Sequence, residues 1–174
     1  IKPANVMVTE DGSIKVMDFG IARAVTDTTA NLAQTTSILG TALYISPEQA
    51  RGDEPDTRTD LYSLGVVMYE LLAGAPPFNA DSPVAVAYKH ISEELRPLKE
   101  VNPAVSEDVA RIVETAMRKD LADRFPTAQS FRGAIEDIAQ GRELRLPTTK
   151  EHAQVAPAFT GSVPVANIEP EHRA

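Results

Sequence analysis

The chain has 174 residues, of which 43% are hydrophobic, so it can bury the core of one domain. Its formal net charge of -8 argues against a surface that binds nucleic acid or anionic membranes. The absence of cysteine excludes disulfides, thiolate catalysis and cysteine zinc sites. No apolar run approaches membrane-spanning length, and the first residue is Ile without a signal peptide behind it, which suggests a start inside a longer protein.

The first predicted element is a β-hairpin within residues 1–21. Four apolar residues alternate on either side of Asp11-Gly12, a pair that favours a two-residue turn. They are Val6, Val8, Ile14 and Val16.

Polar groups at the base of this hairpin are candidates for a phosphate-binding site. Asn5 precedes the first strand, and Asp18 follows the second, so the hairpin can bring them together with Lys2 nearby. An amide oxygen and a carboxylate are suitable ligands for Mg²⁺, and an ammonium suits phosphate. Gly20 lets the chain turn sharply after the carboxylate. The spacing alone allows a plain hairpin with polar ends equally well.

Three motifs occur in the order of the protein-kinase signature set: Lys2-Pro3-Ala4-Asn5, Asp18-Phe19-Gly20 and Ser46-Pro47-Glu48. The chain resembles the C-terminal lobe of a Ser/Thr protein kinase, and most closely the bacterial receptor-type kinases with extracellular PASTA repeats. The segments that match that group are 15–23, 40–44 and 46–52. The likeness runs from residue 1 to about residue 141.

The resemblance assigns roles in phosphoryl transfer to three residues. Asn5 and Asp18 would each ligate one of two Mg²⁺ ions that hold the phosphates of ATP, and Lys2 would neutralise charge on the transferring group. The family's catalytic Asp would fall just before Ile1, outside this chain. The N-terminal lobe, with its Gly-rich loop and strand lysine, is also missing, so we expect this piece alone to be inactive.

The activation segment is expected at about residues 18–48, with a mobile polar loop in 21–45. Thr35 is the best candidate for autophosphorylation and Thr36 the second, although both could be ordinary loop residues. Thr41 matches the threonine that contacts Lys2 and the base in Ser/Thr kinases, which implies serine and threonine substrates. A turn threonine is the alternative.

Other matched residues have structural roles by resemblance. Phe19 and Gly20 complete the metal-binding motif. Glu48 is expected to pair with Arg124, because a buried carboxylate needs a cationic partner. Asp60 is expected to bond backbone amides of the catalytic loop, or simply to favour a helix N-terminus.

The rest of the chain is predicted to be helical. A core helix spans about 59–73 and ends at Gly74, a second runs from Ser82-Pro83 to about Ile91, and two more begin after Ser106 and Thr127. In the family, the element at 82–91 docks substrates or a second kinase molecule. His90 within it is expected to be a surface or packing residue.

We therefore predict a mainly α fold with a small β-hairpin, a kinase C-lobe over 1–141 and a disordered proline-containing linker over 142–174. The resemblance implies a cytoplasmic location beside a single membrane-spanning helix elsewhere in the parent. Two other functions stay open, a pseudokinase scaffold and a binding module that presents residues 82–91.

Overall fold

The computed structural model describes residues 1–17 and 36–147, with the backbone alone for 36–38. A 3-10 turn, Pro3–Asn5, leads into strands β1 (Val6–Val8) and β2 (Ile14–Val16). The α-helices of the described part are α1 (Thr36–Ala42), α2 (Pro47–Arg51), α3 (Thr57–Ala73), α4 (Pro83–Ser92), α5 (Leu98–Val101), α6 (Glu107–Ala116) and α7 (Ala128–Ala139). A second 3-10 turn, Leu121–Asp123, lies between α6 and α7.

The predicted hairpin is present, but its turn differs from the prediction. The loop has three residues, because the Thr9 amide donates to the Ser13 carbonyl at 2.9 Å and the Gly12 amide donates to the Thr9 carbonyl at 2.9 Å. Gly12 has φ 80°, and the Asp11 carboxylate accepts from the Ser13 amide at 3.1 Å. A type of loop that closes with a left-handed glycine therefore replaces the expected two-residue turn.

Helix α1 lies in a part of the chain that was expected to be a mobile loop. Residues 21–45 form a polar segment with little periodicity, which favours a loop, but the structure has a helix over Thr36–Ala42, so the expectation was wrong there. The helix packs against α4, and Ala42 at its end is buried. Tertiary packing thus stabilises a helix that local propensity alone does not predict.

Helix α3 is the central element of the fold. Asp56 caps it by accepting from the Arg58 amide at 2.8 Å, four residues before the predicted Asp60, and Gly74 ends it at φ 81° as predicted. It packs against α5, α6 and α7. Gly65 makes the closest approach, since a Cβ there would lie 2.9 Å from the Met117 side chain.

Two clusters of buried side chains share α3. The first includes Tyr62, Val66, Tyr69, Phe78, Leu98, Val113 and Met117. The second includes Leu61, Ile112, Ala116, Phe125, Phe131 and Ala134. Because α3 contributes to both, its surface is buried on more than one side, as expected for a core helix.

The predicted helix starts at Ser82, Ser106 and Thr127 are confirmed. Each side chain accepts a hydrogen bond from the backbone amide three residues later, at 3.2, 3.3 and 3.1 Å respectively. The apolar patterns of α3 and α7 also predict that Leu71 and Ile135 face the core, and both predictions were wrong, because Leu71 is 77% exposed and Ile135 is 36% exposed. Leu144 and Leu146 follow α7 without regular structure and pack against the second cluster.

Candidate functional site

Lys2 and Thr41 meet at the base of the hairpin. Lys2 is in extended conformation just before the 3-10 turn, and its Nζ donates to Thr41 Oγ1 at 3.0 Å. The two residues are 39 positions apart in the sequence, so the contact joins two separate segments. The hydroxyl thereby fixes the end of a long flexible side chain, and this is the contact that the resemblance implied.

Asn5 lies between Lys2 and the second strand. Its backbone N–H donates to the backbone carbonyl of Lys2 at 3.0 Å, and its backbone carbonyl accepts from the backbone N–H of Met17 at 2.8 Å. The end of the hairpin is therefore held beside Asn5. Asp18, Phe19, Gly20 and Thr35 lie outside the described residues, and so does the side chain of Thr36.

The segment that follows Thr41 is bonded to helix α3. It forms a turn in which the Tyr44 amide donates to the Thr41 carbonyl at 3.2 Å. Ser63 Oγ donates to the Tyr44 carbonyl at 2.8 Å, and Tyr44 Oη donates to Glu70 Oε2 at 2.6 Å. Burial, together with the Glu70 carboxylate, raises the pKa of the Tyr44 phenol. The phenol is therefore a stable hydrogen-bond donor at neutral pH.

Glu48 and Arg124 form a buried two-pronged ion pair. Arg124 Nη1 lies 2.9 Å from Glu48 Oε1, and Nη2 lies 2.7 Å from Oε2. Their side chains are 2% and 0% exposed. This pairing agrees with the one expected from the sequence, and it joins α2 to the turn after α6 across 76 positions.

The surroundings of the pair satisfy its remaining polar groups. Thr59 Oγ1 donates to Glu48 Oε1 at 2.8 Å, and Arg124 Nε donates to the Arg118 carbonyl at 2.7 Å. Burial alone would raise the pKa of Glu48, but the hydrogen bonds and charge of Arg124 outweigh it and hold the pKa at about 2. Glu48 is therefore ionised at neutral pH.

Asp60 lies on the exposed side of α3, near its start. Its Oδ1 is 3.7 Å from the main-chain nitrogen of Ile1, which is the chain's terminal amine. The carboxylate therefore faces the segment that leads to Lys2 and Asn5.

His90 is a member of the buried network that the sequence did not identify. Of the two expected placements, surface or packing, the structure shows the second, since the side chain is fully buried between Tyr62 Oη, 2.9 Å from Nδ1, and the Leu43 carbonyl, 3.1 Å from Nε2. Burial, with the nearby Lys119 charge, lowers the pKa of His90 to about 4. The one available signal was its spacing, because His90 follows the buried Val86 by four positions and so shares its helix face.

Within 1–17 and 36–147, no cluster of three or more histidine and acidic side chains is placed to hold an ion. Asn5 is the predicted metal ligand that the structure describes, and its partner Asp18 is not among the described residues.

Comparisons with known proteins agree on one family. The model of the protein kinase domain matches residues 1–133. The probable serine/threonine-protein kinase PknB of Corynebacterium glutamicum is 44% identical over 91% of this chain and 28% of its own length. The serine/threonine-protein kinase PknB of Mycobacterium tuberculosis is 40% identical over 98% of this chain and 28% of its own length. The chain therefore spans less than a third of these relatives.

Among the residues that the structure describes, no helix has both the length and the apolar character needed to cross a bilayer.

Proposed function

Because the chain belongs to the protein kinase family, we propose that residues 1–141 form the C-terminal lobe of a Ser/Thr protein kinase. In this proposal the complete protein transfers the γ-phosphate of ATP to serine and threonine hydroxyls of proteins. The observation that carries it is the hydrogen bond between Lys2 Nζ and Thr41 Oγ1, which links the segment before the hairpin to the end of the activation segment.

The mechanism we infer is positioning together with charge neutralisation. Bound MgATP supplies the phosphoryl group, with two Mg²⁺ ions that spread its negative charge. Lys2 holds its ammonium on that group, and Thr41 fixes the direction of the Lys2 side chain. Asn5 and Asp18 supply an amide oxygen and a carboxylate to the ions. The hydrogen bond between the Met17 amide and the Asn5 carbonyl supports this pairing, because Asp18 is the next residue in the chain.

Regulation and context belong to the same proposal. Thr35 is the first candidate for activation by autophosphorylation and Thr36 the second, because added phosphate can pair with cations and order a loop.

Residues 82–91 are the proposed docking surface for a protein partner or a second kinase, and Val84 and Tyr88 on α4 are 55% and 67% exposed. A membrane-anchored parent with PASTA repeats, whose kinase lobe faces the cytoplasm, rests on the sequence resemblance alone.

Replacing the predicted metal ligand tests this function. In the complete protein, Asp18→Asn should abolish phosphate transfer to a Ser/Thr peptide, because an amide cannot supply the missing charge to Mg²⁺. Asp81→Asn changes an exposed carboxylate that has no proposed role in phosphate transfer and serves as the matched control. Near-normal turnover by Asp18→Asn would refute the assignment. A wild-type protein that binds MgATP but transfers no phosphate would instead be a pseudokinase.

A further inference from the structure

His90 lies where three segments of the chain meet. Its ring stands on α4, contacts Tyr62 of α3 with ring centroids 5.7 Å apart, and reaches the backbone of Leu43 after α1. Phe78 packs its ring against the imidazole at a centroid distance of 4.9 Å. Both ring nitrogens are therefore hydrogen-bonded, one to a side chain and one to the backbone.

The partners of the ring determine its tautomer. A backbone carbonyl can only accept a hydrogen bond, so the Leu43 carbonyl requires the proton on Nε2. Nδ1 is then an acceptor, and Tyr62 Oη donates to it at 2.9 Å. Burial keeps the imidazole neutral, which matches this arrangement.

The end of α4 that carries His90 is itself fixed. Lys119 Nζ donates to the His90 carbonyl at 2.8 Å and lies 4.1 Å from the centroid of the Phe78 ring. A cation at a helix C-terminus is favourable, and its position over an aromatic ring adds to the stabilisation. The imidazole therefore projects from a rigid support.

The bond from His90 reaches the turn that carries Thr41. Leu43 lies inside this turn, which is closed by the Tyr44 amide donating to the Thr41 carbonyl at 3.2 Å. Thr41 in turn accepts from Lys2 Nζ at 3.0 Å. We propose that His90 is a positioning residue, whose Nε2–H holds the Leu43 carbonyl and thereby keeps Thr41 against Lys2. The kinetic consequence rests on the proposed kinase function.

Substitutions at residue 90 separate this role from simple packing. Glutamine can place an amide N–H where Nε2 stands, whereas leucine fills the space without a donor. In the complete protein we expect His90→Leu to lower kcat about tenfold and His90→Gln to stay within about twofold of wild type. Tyr69→Phe is the control, because it also removes one hydrogen bond of α3, from Tyr69 Oη to the Arg96 carbonyl at 3.0 Å. It should leave kcat within about twofold.

A double-mutant cycle with Thr41→Ala shows whether His90 acts through Thr41. If it does, adding His90→Leu to Thr41→Ala should lower kcat by less than about twofold further. An unchanged kcat in His90→Leu, or the same tenfold loss in both backgrounds, would overturn the proposal.

Two measurements do not depend on activity. Nitrogen-15 NMR should show the His90 imidazole neutral with its proton on Nε2, and the opposite tautomer would contradict the proposal. The Tyr44 amide should exchange with deuterium about tenfold faster in His90→Leu and at the wild-type rate in Tyr69→Phe. If the Tyr44 amide exchanges at the wild-type rate in His90→Leu, the positioning role is refuted. These results decide it even if the wild-type protein transfers no phosphate.

Discussion

Replacing Arg124 with methionine removes the guanidinium that neutralises Glu48 while keeping an unbranched side chain in the core. The carboxylate is 2% exposed and would keep only Thr59 Oγ1 as a described side-chain donor. Breaking a buried pair by removing one partner costs about 3–5 kcal/mol, since an uncompensated charge stays inside. That is a fifth or more of the stability of a typical domain, about 5–15 kcal/mol. Urea unfolding of the chain, followed by circular dichroism, measures the loss.

An exposed ion pair of the same length provides the matched control. Arg132 Nε lies 2.7 Å from Glu136 Oε1, but the two side chains are 77% and 44% exposed. Arg132→Met should therefore cost less than about 0.5 kcal/mol. Adding Glu48→Gln to Arg124→Met removes the stranded charge and should restore part of the stability. A loss below about 1 kcal/mol in Arg124→Met would refute the reasoning, because it would mean that Glu48 is solvated or protonated at little cost.

The pH dependence of the stability of Arg124→Met tests the direction in which the pKa of Glu48 is shifted. In the wild type the pKa of Glu48 is about 2, below its ordinary value of 4.5, so its stabilising contribution is lost as the pH falls from 4.5 to 2. Without Arg124, burial is the largest remaining influence and raises the pKa of Glu48. The folded state then binds a proton more readily than the unfolded state, and this residue's contribution should increase as the pH falls.

Two further predictions concern other buried positions. In the folded chain His90 has a pKa of about 4, below the ordinary value of 6.5. As the pH falls, the unfolded chain therefore binds a proton at this residue before the folded chain does. The free energy of unfolding should decrease by about 3 kcal/mol between pH 6.5 and pH 4. If the urea midpoint of His90→Gln falls with pH over this range as steeply as that of the wild type, the explanation is contradicted. Gly65→Ala should destabilise the chain by about 1–3 kcal/mol, because the new Cβ meets the Met117 and Ala116 side chains at 2.9 and 3.0 Å. In Gly133→Ala, the new Cβ on α7 meets nothing within 4 Å, so this variant should stabilise the chain by about 0.5–1 kcal/mol. If thermal unfolding shows the same change in stability for Gly65→Ala and Gly133→Ala, the packing explanation is disproved.

Local signals in the sequence predict the helix boundaries well. Ser82, Ser106 and Thr127 were identified as caps because a cap depends on a side chain and an amide three residues away. Gly74 was identified as a helix end for the same kind of reason. The hairpin turn was wrong because Asp11-Gly12 is compatible with more than one loop length.

Features that depend on distant packing could not be predicted in the same way. The apolar pattern of α3 does not show which side faces solvent, and Leu71 proved to be exposed. Helix α1 owes its stability to contacts with α4, and the buried position of His90 depends on Leu43, 47 residues earlier. The Glu48–Arg124 pair is even more distant in the sequence, at 76 positions, yet the family resemblance supplied it. Residue pattern alone would not have done so.

The separation of Glu48 from Arg124 also has a consequence during biosynthesis. The two residues are 76 positions apart, so at roughly 5–20 residues per second the ribosome needs roughly 4–15 s to supply the second after the first. Throughout that interval the Glu48 carboxylate lacks its native partner Arg124, and α2 cannot complete its buried contacts. The nascent polypeptide therefore reaches its final arrangement only after Arg124 has emerged.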